Sequence, residues 1–120
     1  MQIPFPIILL SYGDFISEKK LFSCDMDDIY TLPIFTDLEI AERYRLCMMS
    51  FMKDEFDDNR ELRLQYSVNP KIALEMFEVL IMQGGIQNIV INPSPIYGES
   101  TTLSMTISAY EFIGILSDQI

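Results

Sequence analysis

The chain has 120 residues, a length that suits one domain with one hydrophobic core. Apolar residues make up 49% of it, which is enough for a core and excludes a disordered chain. The net charge of −10 comes from 18 acidic and 8 basic residues in both halves, so neither nucleic acid nor an anionic membrane is a predicted partner.

The first predicted element is an apolar strand over residues 5–11. The residues around it lack a basic segment and a small-residue cleavage site, so we predict no signal peptide. No apolar segment is long enough to span a membrane. The two cysteines, Cys24 and Cys47, form no recognisable disulfide framework, which indicates a reducing, cytoplasmic setting.

A mixed segment follows, in which residues 12–14 and 23–28 are typical of turns around a hairpin arm. Residues 29–35 are β-branched and aromatic, which predicts a strand. Pro33 lacks a backbone N–H and indicates that this strand lies at a sheet edge or contains a bulge.

A capping box is predicted at the start of the first helix. Thr36 would accept from the backbone N–H of Glu39, whose side chain would reach back to Thr36. Phe35 and Ile40 would form a hydrophobic staple across this start. The apolar face of the helix is predicted to contain Ile40, Tyr44, Cys47, Met48 and Phe51.

Residues 62–68 alternate strictly, which predicts a half-exposed strand with Leu62, Leu64, Tyr66 and Val68 on its inner face. A second helix follows, capped by Asn69 with Pro70 at its first position and ended by the glycines at 84–85. Its predicted buried stripe is Ala73, Leu74, Phe77, Leu80 and Ile81.

Residues 86–91 form a short apolar segment that predicts a central strand, and residues 92–100 are a loop. Alternation over 101–107 predicts a further strand. Ser108 and Glu111 then repeat the capping box, with Ile107 and Phe112 as the staple.

This order of elements predicts an α+β fold, a single mixed β-sheet with about three helices packed on it as a two-layer sandwich in one domain, residues 1–120. A three-layer α/β arrangement is the alternative.

No catalytic or cofactor-binding constellation is apparent. The chain has no histidine, and no glycine-rich phosphate loop occurs, so we predict neither an enzyme nor a cofactor. The acidic runs at 25–28 and 54–59 lack the glycine of a calcium loop and are interpreted as solvated charge. Cys47 is predicted to be a buried, unreactive thiol.

The eight methionines provide the main functional lead. Met48, Met49, Phe51 and Met52 cluster near the end of the first helix and form the candidate interface. Flexible methionines suit an adaptable protein interface, of which self-association as a homo-oligomer is the simplest form. The alternative is that they fill an irregular core.

A second hypothesis is a small-ligand or metal-binding domain. Its site would use the acidic residues Asp25, Asp27 and Asp28, or the 92–99 loop with Tyr97 and Glu99 as weaker candidates.

Two segments resemble a known family. The sequence "LPIFTDLEIAERY", residues 32–44, resembles the strand–Phe–Thr–helix element of SseB-type domains, the N-terminal domain of enhanced-serine-sensitivity proteins. The sequence "GIQNIVINPSP", residues 85–95, is similar to the later strand ending in Asn-Pro in that family. The resemblance implies a compact α/β-type domain without an established catalytic motif, so it implies no catalytic residues here.

Overall fold

The structure, a computed structural model, describes residues 2–12, 24–26, 29–51, 62–94 and 105–120. Within these residues the chain forms six strands and three helices. In chain order they are β1 (Ile7–Tyr12), β2 (Cys24–Met26), β3 (Ile29–Ile34), α1 (Leu38–Phe51), β4 (Leu62–Ser67), α2 (Pro70–Gly84), β5 (Asn88–Ile91), β6 (Met105–Ser108) and α3 (Ala109–Asp118). The predicted α+β class is confirmed.

The strands form two hydrogen-bonded sheets. β1 pairs with β4 in antiparallel orientation, and the other sheet has the order β2-β3-β5-β6, with β3 and β5 parallel. One antiparallel bridge links the two sheets, because Ile8 and Phe35 exchange backbone hydrogen bonds of 2.7 and 2.9 Å. The described strands therefore form two sheets joined by this bridge rather than the predicted single mixed sheet. The predicted central position of β5 is confirmed.

Pro33 lies in an interior strand, and the predicted edge position is wrong. The carbonyl oxygens of Tyr30 and Ile34 accept hydrogen bonds from residues 87 and 92, so even-numbered residues of β3 direct their backbone groups toward β5. Pro33 faces the other side, where, among the described residues, β2 pairs as far as Thr31 and β1 bridges at Phe35. Within these residues, no strand requires the N–H that proline lacks.

Two hydrophobic cores lie on opposite faces of β1, because successive side chains of a strand point to opposite sides. Ile7 and Leu9 face the larger core, called here the main core, which α2 and α3 cover. Ile8 and Leu10 face the smaller core, called here the α1 core. Helices therefore flank β1 on both faces, as in the three-layer alternative and unlike a two-layer sandwich.

The start of α1 differs from the prediction by one residue. The Asp37 carboxylate accepts from the Ile40 N–H at 3.1 Å and the Asp37 carbonyl from the Ala41 N–H, so Asp37 is the cap. The predicted cap, Thr36, instead pairs with Asn92. Phe35 and Ile40 nevertheless both contact the α1 core.

The predicted caps of α2 and α3, Asn69 and Ser108, are confirmed. Asn69 accepts from the backbone N–H of Lys71 at 2.8 Å, and Pro70 is the first helical residue. Ser108 accepts from the Glu111 N–H at 3.1 Å. Gly85 ends α2 with φ +72, a left-handed conformation in which glycine carries no steric penalty.

The buried stripe of α2 is also confirmed. Three of the five predicted residues are buried and the other two pack partly buried against the main core; in order they are Ala73, Phe77 and Leu80, then Leu74 and Ile81.

The inner face of β4 is only partly as predicted. Leu62 is buried and Leu64 is half-buried against the α1 core. Tyr66 and Val68 are 53% and 72% exposed, so their predicted inward placement is wrong. The reason is where α1 lies: Arg45 of α1 contacts the carbonyl oxygen of Leu62, at the beginning of β4.

Candidate interaction surface

The apolar stripe of α1 extends beyond the core that it covers. Ile40 is half-buried and Tyr44 is buried, and Tyr44 packs against Phe35 with ring centroids 5.2 Å apart. Phe51 follows two helical turns after Tyr44 on the same stripe. It is nevertheless 72% exposed, so its predicted place on the buried face is wrong, while its place in the candidate interface stays a prediction.

Two of the predicted methionines lie beside it. Met48 and Met49 are half-buried and pack against the α1 core while keeping part of their surface open. They therefore combine the two roles that the sequence left open, filling an irregular core and contributing to a surface. Met52 lies outside the described residues.

Leu46 is a surface residue that the sequence analysis missed. It is 54% exposed and lies three residues before Met49, so the two side chains are neighbours on the helix. The helical period contained the signal, because Leu46 falls two residues after Tyr44 and hence on the outward side of α1. We call Met48, Met49 and Phe51 the α1 surface, and Leu46 lies outside it, on the outward side of the helix.

The α1 surface lies in an uncharged part of an acidic chain. Residues 46–51 contain no Asp, Glu, Lys or Arg. The whole helix is charge-balanced, because Glu39 and Glu42 are offset by Arg43 and Arg45, whereas the chain carries −10. These residues therefore contribute no like-charge repulsion of their own to a contact with another acidic molecule, including a second copy.

Arg45 fastens this helix to β4. Its guanidinium donates to the Leu62 carbonyl oxygen at 3.1 Å, and to the Glu42 carboxylate from Nε at 3.1 Å and from Nη2. The hydrogen bond from Arg45 lowers the pKa of the Glu42 carboxyl below its ordinary value of 4.5, and partial burial opposes that effect. These contacts make Arg45 a structural link, and its donors are directed at protein atoms.

The polar joint at the carboxyl end of β3 and β5 is also structural. Asn92, with φ 52, is buried, and its amide oxygen accepts a hydrogen bond from the Thr36 N–H at 2.9 Å. Its amide nitrogen donates to the Thr36 hydroxyl at 2.8 Å, and its backbone N–H bonds to Ile34. These groups fasten the end of β5 to the start of α1.

The ligand-binding candidates lie mostly outside the described residues, among them Asp27, Asp28, Tyr97 and Glu99. Asp25 is in β2, opposite Tyr30. In the described ranges, no group of three or more His, Cys, Asp or Glu residues is placed to hold a metal ion.

Cys47 is a free thiol and is half-buried, so the prediction of a fully buried cysteine is wrong. It lies within the uncharged segment of α1, near the end of the α1 core.

No protein-family model matches this chain, and no curated protein matches it. The resemblance to SseB-type domains therefore stays a prediction. None of the helices in the described ranges is long and apolar enough to cross a membrane.

Proposed function

We propose that this chain is a non-enzymatic protein-interaction or regulatory domain that self-associates through the α1 surface. The observation that carries the proposal is that Phe51 is 72% exposed. Tyr44, two turns earlier on the same apolar stripe, is buried. Burying a phenylalanine side chain stabilises by about 1.5–3 kcal/mol, so covering this residue favours association.

The composition of the surface supports the same proposal. Methionine side chains adjust their shape at little cost, and Met48 and Met49 are held on one side by the α1 core while their other side is open. Residues 46–51 add no charge of their own to such a contact, although an acidic run follows at 54–59. A cytoplasmic setting belongs to the proposal, supported by two cysteines without a disulfide framework.

The test is sedimentation equilibrium over a wide concentration range with wild type and Phe51→Ser. We expect the wild-type mass to rise from monomer toward dimer, and Phe51→Ser to weaken association by about ten-fold or more. The matched control is Tyr110→Ser, because Tyr110 on α3 is an aromatic residue with 84% exposure, outside the α1 surface. It should leave the mass unchanged, and a wild type that is monomeric at every concentration would contradict the proposal.

A second candidate function is small-ligand or metal binding by the 92–99 loop or the acidic residues 25–28. The parallel strands β3 and β5 place their carboxyl ends side by side, where many α/β proteins bind ligands, and the left-handed Asn92 begins the loop there. Thermal unfolding with calcium, magnesium or a metabolite panel tests it, since a ligand that binds only the folded state raises Tm. An unchanged Tm across the panel would remove this alternative.

A further inference from the structure

The outer edge of β4 offers unpaired backbone groups. Ile8 bonds to Phe35 of β3, so the even-numbered residues of β1 face β3 and the odd-numbered ones face β4. The hydrogen-bonded pairs of β1 and β4 are thus those with odd numbers in β4, and even-numbered residues of β4 direct their N–H and C=O groups outward. Within the described part of the chain, no strand pairs with this outer edge.

The described residues occupy only the beginning of this edge. Arg45 donates to the outward carbonyl oxygen of Leu62 at 3.1 Å. The outward groups of Leu64 and Tyr66 make no hydrogen bond to the described residues. Such a row of free donors and acceptors is complementary to one kind of partner, an extended backbone.

β4 also lacks most of the features that usually prevent strand pairing at an edge. Natural edges are commonly shortened, bulged, or interrupted by proline and charge. β4 pairs with β1 residue for residue over six positions, contains no proline, and has Arg63 as its one charged residue. The edge strand β6, by contrast, has four residues.

We propose that β4 pairs in antiparallel orientation with β4 of a second copy of this chain, a proposal that rests on the proposed self-association. The charge of β4 is compatible with a second copy, because the strand contains no acidic residue and so brings no two carboxylates together. The second copy is favoured by continuity with the α1 surface, since Met49 and Leu64 pack against the same α1 core.

The free groups of β4 select one register. Pairing Leu64 with Tyr66 of the second copy, and the reverse, uses all four free outward groups of each strand and leaves Leu62 bonded to Arg45. The two-fold axis then passes beside Gln65, which faces its own counterpart. Arg63 lies opposite Ser67 of the second copy, so the two cations do not meet.

This register is tested by disulfide trapping in a chain with Cys24→Ser and Cys47→Ser. Gln65→Cys should cross-link under mild oxidation, because opposed residues of a non-hydrogen-bonded pair have Cα atoms about 4.5 Å apart, within disulfide range. Arg63→Cys is the matched control: its counterpart would lie about 13 Å away along the strand, too far for a disulfide. Equal cross-linking of both variants would overturn the proposed register.

Tyr66→Pro tests the edge without new cysteines. Proline removes an outward N–H and leaves the odd-numbered ladder to β1 intact, so we expect a folded chain whose association is at least about ten-fold weaker. A wild type that associates while Tyr66→Pro associates equally and Gln65→Cys stays uncross-linked would overturn edge pairing and leave the proposed function standing. A strictly monomeric wild type would overturn both. If Tyr66→Pro does not fold, the disulfide result alone decides.

Discussion

The two cores on either side of β1 differ in how completely they are closed. In the main core, Phe77 of α2 and Phe112 of α3 meet edge to face with ring centroids 4.8 Å apart, and both are buried. In the α1 core, the corresponding aromatic pair is Phe35 and Tyr44, but the apolar stripe continues to the exposed Phe51. The main core is therefore fully enclosed, whereas the α1 core also contributes to a surface.

Truncating one buried aromatic residue in each core, and comparing the losses in the free energy of unfolding, tests whether the two cores differ. Phe77→Ala should lower the free energy of unfolding by about 3–5 kcal/mol, because it leaves a cavity and removes the partner of Phe112. Tyr44→Ala should cost less, since the α1 core is open at one end and can admit water. Urea unfolding measures both, with Val79→Ala as the control: Val79 is exposed on α2, and its loss should change stability by about 0.5 kcal/mol or less.

Equal costs for Phe77→Ala and Tyr44→Ala would contradict the division into a closed and an open core. Amide hydrogen exchange provides a second test of the difference between the cores. A helix over an open core exchanges through local opening, whose free energy is lower than that of global unfolding. We expect the amides of α1 to exchange before those of α2.

Loss of the hydrogen bonds between Asn92 and Thr36, which link the two regions, should have the next largest effect on the free energy of unfolding. Asn92 follows β5 of the main core and bonds to Thr36, just before α1. Asn92→Ala should cost about 2 kcal/mol, from the lost amide hydrogen bonds and from alanine in a left-handed conformation. Asn92→Gly loses the same hydrogen bonds without the conformational cost and should be more stable than Asn92→Ala by about 1 kcal/mol.

Urea unfolding of the two variants measures that difference. Identical stabilities would mean that the backbone at Asn92 is not left-handed in solution.

A smaller effect belongs to α1 alone. Asp37→Ala should destabilise by about 1 kcal/mol through loss of the cap on the Ile40 N–H, while Asp37→Asn keeps a capping oxygen and should be nearly neutral. Thermal and urea unfolding measure both variants. An Asp37→Asn variant as unstable as Asp37→Ala would show that Asp37 acts through charge rather than as a cap.

The two capping boxes show what local sequence can and cannot predict. Ser108 and Glu111 behave as their spacing predicts, because the bond between them needs only residues within one helical turn. Thr36 and Glu39 have the same spacing, yet Thr36 is taken by Asn92, far along the chain, and the adjacent Asp37 becomes the cap. A partner that only the fold brings near is invisible to a pattern of four residues.

The candidate surface, like the two caps, could be predicted only in part from the sequence. The methionine and phenylalanine content of α1 predicted an apolar surface near Phe51, but the exposure of Leu46 depends on which side of the helix meets β1 and β4. The exposure of Tyr66 likewise depends on how far α1 reaches along β4, where alternation alone predicts burial. Tertiary packing decides how far α1 covers β4, and therefore which side chains of the two elements are exposed.

The ion pair between Glu42 and Arg45, which lies within α1, contributes less to stability than any of these groups. The Arg45 hydrogen bond lowers the pKa of Glu42 in the folded chain, so the pair contributes stability above the ordinary carboxyl pKa of 4.5 and loses it as pH falls through the lower folded value. The Glu42 side chain is 40% exposed, and solvent screening keeps the contribution to a few tenths of a kcal/mol.

Glu42→Gln should therefore be slightly less stable than wild type at about pH 7, and equal to it once the pH lies below the lowered pKa of the folded Glu42 carboxyl. Urea unfolding in both pH ranges measures the gap, with Glu75→Gln on α2 as the control for removing one negative charge from the surface of the main core. A gap for Glu42→Gln that persists below the folded pKa of the carboxyl would show that the glutamate acts through packing. Its charge would then add nothing to the orientation of Arg45 toward the Leu62 carbonyl oxygen, and packing within α1 would hold the guanidinium in place.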